Sequence, residues 1–216
     1  MKAICVAACG LLLAGGGWAE SLEWDTSTYS QEVTPCDIEA SHGDDPYSVA
    51  PGVSQQEMDY DRAIAACEAG VAADPGNPRL RYQLARVYGY SGQGEKAYPH
   101  REAAIAADYP QALFVNGYLH FLGINKARKD ICRAGSLFRR SAQYGRLAGQ
   151  VGFTRYALDG AFEGCDVAID PLELMEFLRE AEDSNSGYYE SMLIGMLKKE
   201  VNANWPELKR MEGENT

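Results

Sequence analysis

The sequence has few basic residues, few histidines and no long apolar run, and each shortage argues against a class of function. Its 216 residues include 20 Lys and Arg, 31 Asp and Glu and 3 His, for a formal net charge of −11. Nucleic acid is therefore not an expected partner, because binding phosphates requires a basic surface that releases counterions. An anionic membrane surface is disfavoured for the same reason. The acidic balance is typical of a protein kept soluble by its own charge.

Motifs that carry catalysis are also missing. The sequence contains no nucleophile elbow, no phosphate-cradling glycine loop, no paired-histidine metal motif and no Ser-x-x-Lys. The three histidines, His42, His100 and His120, belong to no recognisable motif. We therefore predict that the protein is not an enzyme and has no catalytic residue, metal site or cofactor.

The first residues are typical of a secretory signal peptide. Met1 and Lys2 precede a mostly apolar run over residues 3–14, and the small residues Gly17 and Ala19 follow. That run is too short to span a bilayer, which takes about 20 apolar residues. We predict a signal peptide over residues 1–19, cleavage after Ala19, a periplasmic or secreted protein, and no stable membrane insertion after cleavage. Two alternatives remain open: an uncleaved anchor, or a lipoprotein joined through Cys9.

Removal of residues 1–19 leaves four of the six cysteines. They are Cys36, Cys67, Cys132 and Cys165. Outside the cytosol an even number of cysteines predicts two disulfides, with three connectivities open. A metal site would show closely spaced ligand pairs, and none occurs. A nucleophilic cysteine would need a nearby base.

The remaining chain divides into an irregular segment, a helical region and a tail. Residues 20–56 are rich in Ser, Thr, Pro, Asp and Gly without a regular period, so we expect loose order unless something holds them. From Met58 apolar residues recur at steps of three and four, typical of amphipathic helices. This predicts a helix from about Met58 to the break at Asp74, followed by helices at Pro78–Ser91, Lys96–Asp108, Pro110–Leu122, Asp130–Tyr144, Leu147–Asp159, Pro171–Ser184 and Gly187–Glu200. Pro99 must lie in the first turn of its helix or kink it. The predicted fold class is all-α, with a repeat domain over residues 57–200 and a flexible tail over residues 201–216.

Short helices with a period in the mid-thirties are typical of helix-turn-helix arrays. One stretch is similar to the tetratricopeptide repeat, in which small residues allow close helix contact: Leu84, Ala85, Tyr88, Gly92, Ala97 and Ala104. Ala63, Gly70 and Pro75 resemble a half repeat before it. The next stretch resembles a Sel-one-like repeat, a relative with a longer inter-helix loop, at Ala112, Gly117, Tyr118, Gly123, Asp130, Ala134, Leu137, Phe138, Ser141, Ala142, Gly145 and Ala148. A more degenerate copy follows at Gly152, Tyr156, Gly160, Leu174, Leu178, Ala181 and Gly187. The chain departs from the pattern at Asn116, which replaces an apolar residue, and the alternative is an unrelated helical bundle.

The resemblance implies an α-α superhelix, a solenoid of antiparallel helix hairpins. In such an array the start of one helix lies beside the end of the next, which would bring Cys132 next to Cys165. Cys36 would then pair with Cys67 and pin the irregular segment across the first helix. Bridging requires Cα atoms within about 7 Å.

In this family the first helix of each hairpin lines the concave side, where partner proteins bind. That implies a partner-binding face made of Arg79, Tyr82, Arg86, Tyr90, Phe114, Tyr118, Phe121, Phe153 and Tyr156. Aromatic residues with arginine are typical interface anchors, and the arginines suit an acidic partner or a carboxylate terminus. The alternative is that these aromatic side chains pack between hairpins. Replacing Tyr82 and Arg86 with alanine is expected to abolish partner binding without lowering the melting temperature.

Three functions remain. The first is an exported protein-binding scaffold or regulatory adaptor whose partner is unknown. The second is a penicillin-binding or hydrolase-like activity of the kind linked to cysteine-rich Sel-one-like proteins, whose cysteines lie closer together than Cys132 and Cys165. The third is a structural protein of the envelope.

Overall fold

Several helices begin or end at residues that cap them. The computed structural model describes residues 22–184 and 187–208. Within these ranges the α-helices are α1 (Pro35–Ala40), α2 (Tyr60–Ala73), α3 (Pro78–Tyr90), α4 (Gly94–Ala106), α5 (Pro110–Leu122), α6 (Ile131–Gln143), α7 (Leu147–Leu158), α8 (Pro171–Ser184) and α9 (Tyr188–Asn204). The side chains of Asp59, Asn77 and Asp130 accept hydrogen bonds from the first backbone N–H groups of α2, α3 and α6. Helix α5 ends at Gly123, whose φ of 70° is readily adopted only by glycine.

Each helix packs mainly against the next one in the chain. Contacts join α2 to α3, α3 to α4, and so on to α9, while α1 also touches α3 and α7 also touches α9. Every regular element in the described ranges is helical. The chain is therefore an α-α superhelix, as the sequence predicts.

Small residues let the helices approach closely at their crossings. A Cβ atom on Gly149 of α7 would lie 2.8 Å from the backbone nitrogen of Ala142 in α6. A Cβ atom on Gly117 of α5 would lie 2.8 Å from the Phe138 ring. These distances leave no room for a side chain, so the glycines set the spacing between neighbouring helices.

The predicted disulfide pairing is confirmed. Cys36 and Cys67 are joined with a Cα–Cα distance of 4.4 Å. Cys132 and Cys165 are joined with a Cα–Cα distance of 5.1 Å. The first bridge fastens α1 to α2, and the second fastens the start of α6 to the loop after α7.

The structure refines three expectations about the organisation of the chain. Residues 22–58, which we name the strap, are irregular apart from a turn at Thr26–Thr28 and helix α1, but they are held firmly in place. The tail was predicted to begin at residue 201, yet α9 runs to Asn204 because Val201 is buried, and Leu208 is buried as well. Pro99 lies inside α4, in its second turn. The predicted signal peptide and residues 209–216 lie outside the described residues.

Candidate functional site

The face of α3 that was predicted to bind a partner is covered by the strap. Arg79 is completely buried, and its Nε donates to Oδ1 of Asp37 at 2.8 Å. Its two terminal nitrogens donate to the backbone oxygens of Ser30 and Glu32. A buried guanidinium requires such compensation, because an unpaired charge in the interior is costly. Arg79 therefore fixes the strap to α3 and is not available to a partner.

Asp37, in the strap, accepts hydrogen bonds from two side chains of α3 and from one backbone group of the strap. Besides Arg79, it accepts a hydrogen bond from the Gln83 amide at 2.9 Å and one from the Thr34 backbone N–H at 2.8 Å. Burial alone would raise the pKa of Asp37, but the hydrogen bonds from Arg79, Gln83 and Thr34 together lower it. Asp37 is therefore charged at neutral pH and strengthens the docking of the strap.

Arg86 holds the base of a loop within the strap. Its Nη1 donates to the carbonyl oxygens of Ala40 and Ser41, and its Nη2 donates to the carbonyl of Val53 at 2.6 Å. The backbone also closes there, since Val53 N–H donates to Ser41 O at 2.9 Å. A single guanidinium therefore joins both ends of residues 41–53.

Aromatic side chains from the strap and the repeats form one cluster over the α3–α5 junction. The Tyr109 ring is fully buried, and its centre lies 5.8 Å from the ring centres of both Trp24 and Tyr82. Tyr29 and Tyr47 contribute two more rings. Such edge and tilted contacts stabilise beyond the area they bury. The cluster excludes Tyr82 from any docking surface.

A buried carboxyl group lies at the edge of this cluster. Asp45 is 6% exposed and accepts a hydrogen bond from the Tyr109 hydroxyl at 2.7 Å. Burial raises the pKa of Asp45, although the Tyr109 hydrogen bond partly opposes that shift. The same surroundings raise the pKa of Tyr109 well above its usual value. The pKa values of Asp37 and Asp45 are thus shifted in opposite directions within one segment, because only Asp37 has enough hydrogen-bond donors to outweigh burial.

The structure divides the predicted partner-binding residues into a buried set and an accessible set. Arg79, Tyr82 and Phe153 are buried, so those three predictions are wrong as descriptions of a surface. Arg86 and Tyr90 are partly exposed and line a cavity of about 70 Å³ between α3 and α5. Because Arg86 anchors the strap, replacing Tyr82 and Arg86 is now expected to lower the melting temperature, contrary to the sequence-based expectation.

The remaining predicted residues come together on α5 and α7. Tyr118 is 43% exposed, and Phe114, Phe121 and Tyr156 are partly exposed. The ring centres of Phe121 and Tyr156 are 4.4 Å apart in a stacked arrangement. We name these four residues the aromatic face. Their prediction as one surface is consistent with the geometry, whereas Phe153 packs beneath them against Phe162 and Phe177.

A guanidinium borders the aromatic face. The Arg146 side chain lies over the Phe114 ring, with its central carbon 5.4 Å from the ring centre, and its Nε donates to the Gln111 amide oxygen at 2.6 Å. This contact orders Phe114, but Arg146 itself is only 7% exposed. Arg146 therefore supports the ring at one end of the aromatic face and presents little charge to solvent.

Sequence reasoning missed the residues that bind the strap. One signal was readable: Thr34, Pro35 and Asp37 form a capping box with proline at the first helical position, which predicts the start of α1. No sequence pattern points to the pairing of Asp37 with Arg79, because 42 positions separate them. No group of three or more His, Cys, Asp or Glu side chains suited to a metal ion occurs in the described part of the chain. Within the same part, no helix is long and apolar enough to cross a membrane.

Comparison with known proteins places this geometry in context. The family model described as a tetratricopeptide repeat matches residues 55–113. No curated protein matches the chain. A solved structure that is similar in part is a protective antigen present in uropathogenic Escherichia coli strains, which displays an SLR fold. The two share 18% sequence identity with a TM-score of 0.48, and the match covers 80% of this chain but only 38% of the antigen.

Proposed function

We propose that this chain is an exported protein-binding scaffold whose aromatic face receives a segment of a partner protein. The chain folds as an α-α superhelix, and residues 55–113 match the tetratricopeptide-repeat model. Helical repeats of this class are protein-interaction folds in general. The observation that supports the specific proposal is the aromatic face on the first helices α5 and α7. There Tyr118 is 43% exposed, and the partly exposed rings of Phe121 and Tyr156 stack on each other. Clustered aromatic side chains of this kind are typical of interface centres.

The strap supports the proposal because it is a peptide already bound to the equivalent face of α3. There, side chains of α3 bind backbone carbonyls and the Asp37 carboxylate, while aromatic rings of the strap pack against Tyr109. The α5–α7 part of the array presents rings without such a covering among the described residues. A partner segment with apolar or aromatic side chains would fit it in the same manner.

The charge of the surroundings indicates that this segment is apolar. Arg146 at the Phe114 end is only 7% exposed, and Arg155 on α7 is bound to Asp159 at 2.6 Å. Neither guanidinium therefore offers an exposed, unpaired charge to an acidic residue of a partner.

The experiment is site-specific capture with matched tyrosine variants. Purified Tyr118→Ala protein is compared with Tyr189→Ala protein, since Tyr189 is also highly exposed but lies on α9. We expect Tyr118→Ala to lose the partner recovered from envelope extracts at an unchanged melting temperature, while Tyr189→Ala retains it. Loss with Tyr189→Ala alone would place the contact on α9 and contradict the proposal.

Export, the absence of catalysis and the role as regulatory adaptor belong to the same proposal. The two disulfides support export, because thiols remain reduced in the cytosol. A covalent penicillin-binding activity is tested with a fluorescent penicillin, and we expect no labelling of the native protein. A labelled band that survives denaturation would instead favour the enzyme hypothesis. Co-purification with peptidoglycan in the absence of a protein partner would favour the structural hypothesis.

A further inference from the structure

A polar cleft lies between α4, α5 and the loop that joins α5 to α6, away from the aromatic face. Its volume is about 340 Å³, within the range of small-ligand sites. The lining residues include Arg101, Asn116, His120, Lys126, Arg128 and Arg133. A basic cleft on a chain with a net charge of −11 requires an explanation.

Arg101 is the central group of this cleft. It is 7% exposed and also lines the smaller cavity beside Arg86, so it separates the two spaces. Its Nη1 donates to the backbone oxygen of Asn125 at 2.9 Å. No carboxylate of the described residues forms an ion pair with it, in contrast to Arg79. Burial lowers the pKa of Arg101, and the charge of Glu102 partly opposes that shift. An arginine stays charged in proteins, so this buried cation lacks a counter-charge in direct contact with it.

The acidic residues of the cleft are already engaged. Glu102 uses both of its oxygens on Arg133, each at 2.7 Å. Asp130 accepts the Arg133 backbone N–H at 2.9 Å, as the cap of α6. Arg101, Lys126 and Arg128 therefore remain as three cations without a carboxylate partner among the described residues.

His120 adds an imidazole to the cleft. Its Nδ1 lies 2.8 Å from the backbone oxygen of Arg128. Since a carbonyl only accepts, Nδ1 carries a hydrogen in this bond. The other ring nitrogen, Nε2, is left for a polar group of the ligand.

The loop that closes the cleft is built in an unusual conformation. Asn125 and Lys126 have φ values of 55° and 65°, in the left-handed region that most side chains avoid. A Cβ atom on Gly94 would lie 2.8 Å from the Lys126 side chain, so only glycine lets the loop approach α4. Strained backbone of this kind concentrates at ligand sites.

We propose that this cleft binds a small oxyanion, a carboxylate or phosphate group, which pairs with Arg101 and is surrounded by Lys126 and Arg128. The anion would supply the counter-charge that Arg101 lacks. Charge-assisted hydrogen bonds to a guanidinium are among the stronger ones in proteins. The site is independent of partner binding on the aromatic face.

The experiment is a calorimetric titration of the intact oxidised protein with succinate, succinamide and inorganic phosphate. Succinamide has nearly the shape of succinate without its charge. Arg101→Gln is the test variant and Arg128→Gln tests the rim. Arg62→Gln is the control, because it removes the same charge from an exposed position on α2. A circular dichroism melt of each variant establishes that it is folded.

We expect succinate or phosphate to bind the native protein and succinamide not to bind. Arg101→Gln should weaken binding about tenfold or more, since a hydrogen bond to a charged group is lost. Arg128→Gln should weaken it less, and Arg62→Gln should leave it unchanged. Binding of succinate alone would identify the ligand as a carboxylate, and binding of phosphate alone as a phosphate. No binding of either anion, or equal binding by Arg101→Gln and Arg62→Gln, would overturn the proposal; if Arg101→Gln does not fold, an unchanged affinity of Arg128→Gln would overturn it.

Discussion

Helices α3 and α5 hold the same position in consecutive hairpins, yet one is covered and the other is open. On α3, the polar stripe of Arg79, Gln83 and Arg86 is bound by the strap. On α5, the stripe of Phe114, Tyr118 and Phe121 retains exposed aromatic surface. The comparison shows that position in a repeat does not decide whether a face is open. What decides it here is whether another segment of the chain covers the face.

Replacing Arg79, which holds the strap on α3, should lower the stability of the protein by the largest amount. Arg79→Ala leaves Asp37 buried and without its cation, so we expect a loss of about 3–5 kcal/mol in the free energy of unfolding. Urea denaturation followed by circular dichroism measures it. The control is Arg62→Ala, which breaks the other ion pair to α1, between Arg62 and Glu39, at a largely exposed guanidinium. A similar loss in both variants would mean that burial of the Arg79–Asp37 pair is not what holds the strap.

Removing the Cys36–Cys67 bridge should have the next largest effect. We expect Cys36→Ala/Cys67→Ala to lose about 2–4 kcal/mol, because the unfolded chain gains freedom. Cys132→Ala/Cys165→Ala is the control, because it removes a bridge that closes a loop of similar length: the two sequence separations are 31 and 33. Only the first variant should become sensitive at Glu39 and Glu57 to a glutamate-specific protease. Equal cleavage of both variants would contradict a strap that is held locally.

Much of the fold was predictable because helix caps and small residues are local signals. Pro78, Pro110 and Pro171 begin α3, α5 and α8 at the predicted residues. The disulfide pairing followed from the antiparallel order of the helices. The covering of α3 was not predictable, because the strap docks through contacts distant in sequence, such as Arg86 with Val53. For the same reason Tyr82 was predicted on a surface, whereas rings from the strap bury it.

Adding a side chain where two helices cross should lower stability by an intermediate amount. Such a variant tests whether small residues are needed for the helices to pack closely. Gly149→Ala places a Cβ atom 2.8 Å from the backbone of α6, where nothing flexible can yield. We expect a loss of about 1–3 kcal/mol from overpacking. Gly195→Ala on α9 is the control, since a Cβ atom there meets nothing within 4 Å. Alanine at that helical position should be neutral or stabilise by up to about 1 kcal/mol. Destabilisation by Gly195→Ala of the same size would argue against the crossing as the cause.

The smallest expected effect is a change of stability with pH, to which two carboxyl groups of the strap contribute in opposite directions. The pKa of Asp45 is raised by burial, so between the unfolded value of about 3.9 and the folded value the folded state binds more protons. Stability should therefore rise as pH falls through that window. The pKa of Asp37 is lowered, so its contribution is present above the unfolded value and is lost as pH falls further, through the folded pKa.

Asp45→Asn should remove the rise in stability as pH falls, and should keep the loss of stability at still lower pH that comes from Asp37. Urea denaturation at several pH values between 7 and 3 measures both limbs. The variant can still accept a hydrogen bond from the Tyr109 hydroxyl, which limits structural change. A rise of equal size in the variant would assign the proton uptake to another group.

Photo-crosslinking from two positions tests most directly whether the α5 face is open to a partner while the α3 face is covered by the strap. A photoreactive phenylalanine analogue is placed at Tyr118 on the aromatic face or at Tyr90 on α3, whose side chain lines a cavity together with His42 of the strap. In envelope extracts we predict that position 118 crosslinks to a second protein, whereas position 90 crosslinks within the chain to the strap. Crosslinks to a partner from position 90, or none from position 118, would contradict the account.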